Sequence, residues 1–197
     1  MPKTVDHAER RRQVTAVAAE LVATSGRSAL TVRNVAAATG HSTTVVSHYF
    51  DDVTDLLHAV HGFAADRARH RIDAVIAHDP SDVEGLIESI LPLDHERQQD
   101  WRIWFAFWSE AIAVPFLAGE QRERARTLTR RIRACLTCLR TADRLPAATD
   151  IGRAADRLAA LVPGIAADAT FDPTRWTASR QRRVVRDELH ALGITDR

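Results

Sequence analysis

The sequence predicts an all-α protein of about nine helices, and three observations carry that prediction. Apolar residues recur every three to four positions through almost the whole chain, the spacing that lines one face of a helix. Only 8 glycines and 7 prolines interrupt 197 residues, too few for a loop-rich fold. Helix-capping residues (Thr31, Ser42, Asp51, Asp52, Ser81) stand just ahead of the apolar runs. A chain of this length can bury a proper core as one large domain or two small ones.

The elements follow in order. Val14, Val17, Ala18, Leu21 and Val22 predict a first helix over about 8–24, closed by Gly26 in a left-handed cap role. Thr31 caps a second helix that buries Val32, Val35 and Ala36. Ser42 caps a third, with Val45, Val46, Tyr49 and Phe50 as its apolar residues. Asp51 or Asp52 opens a long fourth helix, about 53–78 and roughly 38 Å at the usual rise, which ends at Asp79-Pro80. Ser81-x-x-Glu84 reads as a capping box for a fifth helix with Leu86, Ile87, Ile90 and Leu91. The sixth, about 96–113, carries Trp101, Trp104, Phe105, Trp108 and Ile112 on one face. The seventh spans about 119–141 and the eighth about 149–169. Asp172-Pro173 opens a ninth that ends near Gly193.

Composition excludes several classes. The formal net charge of +1 divides unevenly: residues 1–50 hold six bases against three acids, a local +3. That sign suits phosphate binding at this end. Two cysteines three apart are no disulfide framework, which points to a reducing cytoplasm. The first residues, MPKTVDHAERRR, lack the apolar stretch of a signal peptide, and no run is long enough to span a membrane. No glycine-rich phosphate loop, nucleophile elbow or carboxylate cluster is present, so no enzyme, cofactor or metal is expected.

Function is written most clearly over residues 31–57. A helix-turn-helix needs a small residue where its second helix is crossed, and Ala36 is small. It needs a residue at ease with positive φ in the turn, and Gly40 follows four positions later. It needs a branched anchor on the inner face of the next helix, and Val46 follows six positions after that. Thr43, Thr44, Ser47 and His48 then point outward, short polar groups able to reach base edges or phosphates in a major groove.

Thr31, Val35, Ala36, Gly40, Ser42, Val46, Tyr49 and Phe50 stand in the register T-x-x-x-[IV]-A-x-x-x-G-x-S-x-x-x-[LIV]-x-x-[YH]-F. Residues 8–72 thereby resemble the DNA-binding domain of the TetR family of bacterial transcriptional regulators. STTVVSHYF and WRIWFAFWSEA are similar to the BetI-like branch, whose founding repressor is associated with choline sensing. The resemblance implies phosphate contacts from Thr31 and Arg33, groove contacts from Thr43, Thr44 and His48, a thymine methyl contact from Val45, and a backbone contact from Tyr49. Ser42 and Ser47 complete the candidate DNA-binding set. Departures stand at Val53, where many members have Lys, and at Thr44 and His41, where Gly and an apolar residue are common.

The expected protein is a ligand-responsive repressor. Residues 1–52 bind DNA, and residues 53–197 bind an unidentified small-molecule inducer and dimerise. Trp101, Trp104, Phe105 and Trp108 are the ligand-site candidates, because aromatic faces attract organic cations; the same spacing equally suits a core. Asp100 and Glu110 are the candidate carboxylates for such a cage. Leu158, Leu161, Val162, Ile165, Val184, Val185 and Leu189 are the homodimer candidates, in a four-helix bundle that sets two recognition helices on a pseudo-palindromic operator. Two alternatives stand beside this: a helical protein-interaction module, and a DNA-binding redox sensor using Cys135 and Cys138. His58 and His61 share a helix face, where solvated histidines are the ordinary outcome.

Overall fold

The computed structural model describes residues 7–194, among which there are nine α-helices and no strand. They are α1 (His7–Ser25), α2 (Val32–Thr39), α3 (Thr43–Tyr49), α4 (Val53–His78), α5 (Val83–Glu88), α6 (His95–Ala111), α7 (Pro115–Thr141), α8 (Ile151–Phe171) and α9 (Ala178–Ala191). The all-α expectation is met. Lys3 and Asp6, counted in the basic balance of the first fifty residues, lie outside the described residues.

Three helix starts differ from the sequence expectation, each for a local reason. The cap of α5 is Asp82, whose carboxylate accepts from the Gly85 N–H at 2.7 Å, while Ser81 turns back to Asp79. A Cβ on Gly85 would lie 2.2 Å from the Asp82 carboxylate, so this cap requires glycine there. Helix α7 starts at Pro115 rather than near Gly119, because proline in a first turn has no N–H to lose. Asp172 folds a turn instead of opening α9: its carboxylate takes the Thr174 hydroxyl at 2.8 Å and the Arg175 N–H at 3.0 Å. Thr177 caps α9.

Packing divides the chain into two compact units. One unit is the described residues through Arg67 together with Gln99–Leu117; the other is Ala68–Gln98 together with the described residues from Ala118 onward. In the first, Val14, Ala18, Val22, Leu30, Val35, Val46, Phe50, Leu56, Leu57 and Val60 join Ile103, Phe107 and Leu117 in one buried cluster. Helix α6 therefore completes the core beneath the first three helices. His61 lies flat on Phe107, with ring centroids 3.5 Å apart and planes 5° from parallel, and Arg102 donates to the Ala23 carbonyl at 3.1 Å.

In the second unit α9 packs on α5 and α8. Arg182 and Arg157 pair with Glu88 and Glu188 at 3.0 and 2.7 Å. Gln181, 2% exposed, donates to the Trp176 carbonyl at 2.9 Å. Pro163 sits inside α8 and removes one backbone donor there. No helix among the described residues is long and apolar enough to cross a membrane.

Candidate DNA-binding site

The turn between α2 and α3 is built from the residues that announced it. Thr31 has extended backbone, and its hydroxyl accepts from the Asn34 N–H at 3.1 Å. At the other end of α2, Gly40 sits at φ 70°, ψ 22°, left-handed backbone that costs glycine nothing. The Gly40 N–H reaches the Ala37 carbonyl and the His41 N–H reaches that of Ala36, at 3.3 and 2.9 Å. This pair of bonds is a Schellman closure. Ser42 then caps α3 through the Val45 N–H at 3.3 Å. A helix of seven residues is too short to hold itself together in water, so its anchors matter: Val46 is fully buried and Phe50 nearly so.

Burying Val46 and Phe50 turns the opposite face outward. Ser42, Thr43, Thr44, Ser47 and His48 are exposed, as is Val45 at 37%. Thr31 and Arg33 are exposed at the start of α2, and the Arg33 guanidinium makes no hydrogen bond or ion pair among the described residues. Hydroxyls, one imidazole, one valine and one guanidinium are thus exposed on this two-helix unit.

Arg11 fixes this unit to α1. Its Nε donates to the Tyr49 carbonyl at 3.1 Å, its Nη2 pairs with Asp55 at 3.1 Å, and its guanidinium lies 4.6 Å from the Phe50 ring centroid. Of the arginine run at 10–12, Arg11 is therefore engaged internally, and Arg12 pairs with Glu9. Sequence reasoning missed His7, whose ring lies 5.3 Å from that of His48 and 4.6 Å from that of Tyr49. Only the tertiary placement of α1 brings it there, and no local pattern marks it.

Four of the aromatic residues of α6 form one cluster. The Trp101 ring lies 4.7 Å from Trp104, 5.4 Å from Phe105 and 5.8 Å from Trp108. Trp101 is buried and the other three are half-buried. The fully buried side of α6 is Ile103 and Phe107, whereas Ile112, expected on the aromatic face, is 89% exposed. Both candidate carboxylates already hold a cation. Glu110 pairs with Arg27 at 3.0 Å, and the fully buried Asp100 pairs with Arg67, which also lies over Phe63.

Among the seven residues expected at a dimer interface, Leu158, Val162, Ile165, Val185 and Leu189 are buried within the protomer. They cannot also supply its outer surface; Leu161 and Val184 keep partial exposure. The outward face of α8 is instead Arg157, Ala160, Gly164, Asp168 and Phe171, the last 85% exposed.

Cys135 is buried and Cys138 is half-buried, and both are free thiols. Burial, with smaller contributions from Cys138, Asp82 and Asp79, pushes the Cys135 thiol up to about 11. No group of three or more potential metal ligands occurs among the described residues. A hollow of about 560 Å³ in the second unit is floored by Val83, Leu139 and Leu189. On its rim Glu84 pairs with Arg186.

The chain is similar to known proteins along most of its length. The family model described as bacterial regulatory proteins of the tetR family matches residues 14–60. The model for the C-terminal domain of BetI-type transcriptional repressors matches residues 81–193. The chain is 32% identical over 170 residues to the transcriptional regulator BetI of Paraburkholderia phymatum, covering 84% of this chain and 83% of that protein. It is 26% identical to the regulator PksA of Bacillus subtilis over 100% of this chain and 96% of that one. A solved transcriptional regulator from Rhodococcus sp. Rha1 superposes with TM-score 0.82 at 22% identity, covering 94% of this chain and 99% of that one. Another, from Saccharomonospora viridis in complex with choline, has TM-score 0.79 at 21% identity, covering 96% and 100%.

Proposed function

Because the chain belongs to the TetR family of transcriptional regulators and carries its BetI-type C-terminal domain, we propose that it is a ligand-responsive repressor. In this reading it binds a pseudo-palindromic operator as a cytoplasmic homodimer, and a small molecule releases it. The observation that carries the proposal is the exposed row Thr43, Thr44, Ser47 and His48 above the buried Val46. α3 offers polar groups to base edges and phosphates, while Thr31, Arg33 and Tyr49 hold phosphates. Residues 1–52 carry DNA contact, and 53–197 carry ligand binding and dimerisation.

Release works by population shift. A ligand that binds one conformation better than another disfavours the operator-bound state by its difference in affinity. The aromatic cluster Trp101, Trp104, Phe105 and Trp108 is the proposed ligand surface. A Saccharomonospora viridis relative binds choline, which makes an organic cation the first ligand to try. Here such a cation meets Asp100 already paired with Arg67, so it must compete with an internal guanidinium.

The test is binding to duplex DNA from upstream of the chain's own gene, followed by fluorescence anisotropy over a salt series. The expected result is a steep linear fall of log affinity with log salt, in proportion to the phosphates neutralised. No binding at low salt would sink the repressor reading. The buried Cys135 thiol weighs against the redox-sensor alternative, because the thiolate is the reactive form.

A further inference from the structure

We propose that His7 and His48 form a protonation-dependent phosphate clamp beside the recognition helix, so that the chain binds duplex DNA more tightly at acidic than at neutral pH. The inference rests on the reading that α3 faces DNA, and it adds a contact from α1 that no motif marks. Three rings from two elements meet here. His7 lies against His48 and Tyr49, and His48 lies 5.3 Å from Tyr49. Both imidazoles are exposed. Neither makes a hydrogen bond or ion pair among the described residues, so their nitrogens are available to an incoming group.

The placement is held rather than incidental. Arg11, one turn along α1 from His7, ties that helix to the Tyr49 carbonyl and to Asp55. Among the described residues, no acidic group forms an ion pair with either ring. On α1, Glu9 is held by Arg12 and Gln13, and Arg10 is a further cation. On α3, His48 is the one ionisable residue besides Tyr49. On α4 and the turn before it, Asp55 is held by Arg11, Asp52 caps the helix through the Asp55 N–H at 2.7 Å, and Asp51 is exposed. Asp6 lies outside the described residues.

Two imidazolium rings at this separation repel each other, and a DNA phosphate supplies the missing negative charge. Proton uptake and DNA binding therefore favour one another, as linkage requires. Histidine is the side chain whose ordinary titration falls in the range where this matters.

The experiment measures affinity for a fluorescein-labelled mixed-sequence duplex at low salt, because phosphate contact is independent of sequence. Full-length wild type is compared with His7→Phe and His7→Arg at about pH 6 and about pH 7.5, on either side of the ordinary histidine value. Wild type should gain affinity on acidification, by up to about tenfold per pH unit for one proton taken up. His7→Phe keeps the ring contacts and the thermal midpoint but should lose most of that gain. His7→Arg should bind more tightly at neutral pH with a flatter profile. A wild-type pH profile in His7→Phe, or an equal loss at every pH, overturns the clamp while leaving the DNA reading intact. Failure of wild type to bind any duplex overturns both.

Discussion

Thr44 and Tyr49 lie on the same short helix and should fail differently when truncated. Thr44 is exposed on the outer face, so Thr44→Ala should flatten preference at one or two base pairs by about 1 kcal/mol, the low end of a base contact. Tyr49→Ala should weaken binding to every sequence, as the loss of a backbone contact does. Affinities over a set of single-base operator variants separate the two, and a uniform loss for Thr44→Ala contradicts its role. Cys135 makes a pH prediction. Its thiol titrates near 9.0 when unperturbed and at about 11 here. The stability it lends is thus complete below about pH 9 and is lost as pH rises toward 11. Urea unfolding of Cys135→Ala should show a smaller alkaline loss than wild type, and the native thiol should resist labelling at pH about 8. These residues were legible to different degrees. Gly40 and Val46 declare themselves because each is forced by backbone or packing geometry, whereas His7 depends on where α1 lies.

At the scale of the element, the caps show where sequence spacing misleads. Ser81-x-x-Glu84 has the form of a capping box, yet Asp82 holds the position one residue later. The deciding fact is the glycine three residues after Asp82, which leaves room for the carboxylate. Gly85→Ala should therefore displace the cap and cost about 1 kcal/mol, comparable to Asp82→Ala. The double variant should lose little more than either single one, since both remove the same bond; additive losses in urea midpoints would refute this. Ahead of α9, Asp172 and Pro173 suit a turn as well as a helix start, and here they form the turn. The apolar residues of α8 and α9 were legible as buried, but periodicity cannot say whether a buried face meets its own chain or another.

For the whole molecule, that last ambiguity becomes a measurement. If α8 docks on a second copy, it does so through its outward face, where Gly164 has nothing within 4 Å of a built Cβ. Gly164→Glu should leave the protomer folded, because an exposed helical glycine is replaced by a better helix former, and should convert a dimer to a monomer in sedimentation. A dimer that persists removes this face from the interface. The two packing units also explain a limit of reading domains from motifs. A helix-turn-helix pattern ends where its local signals end, but its core extends to α6, more than forty residues later in the chain. Nothing in the sequence around Ile103 or Phe107 says which partner those side chains will find.

The clustering of Trp101, Trp104 and Trp108 has an optical consequence. The fourth indole, Trp176, lies in the other unit with the Arg180 guanidinium 4.7 Å from its ring. Replacing Trp176 by Phe would leave every indole on one helix, close enough to exchange excitation. The chain would then carry its own unlabelled reporter, whose colour and near-ultraviolet dichroism track the surroundings of α6 as candidate inducers are added.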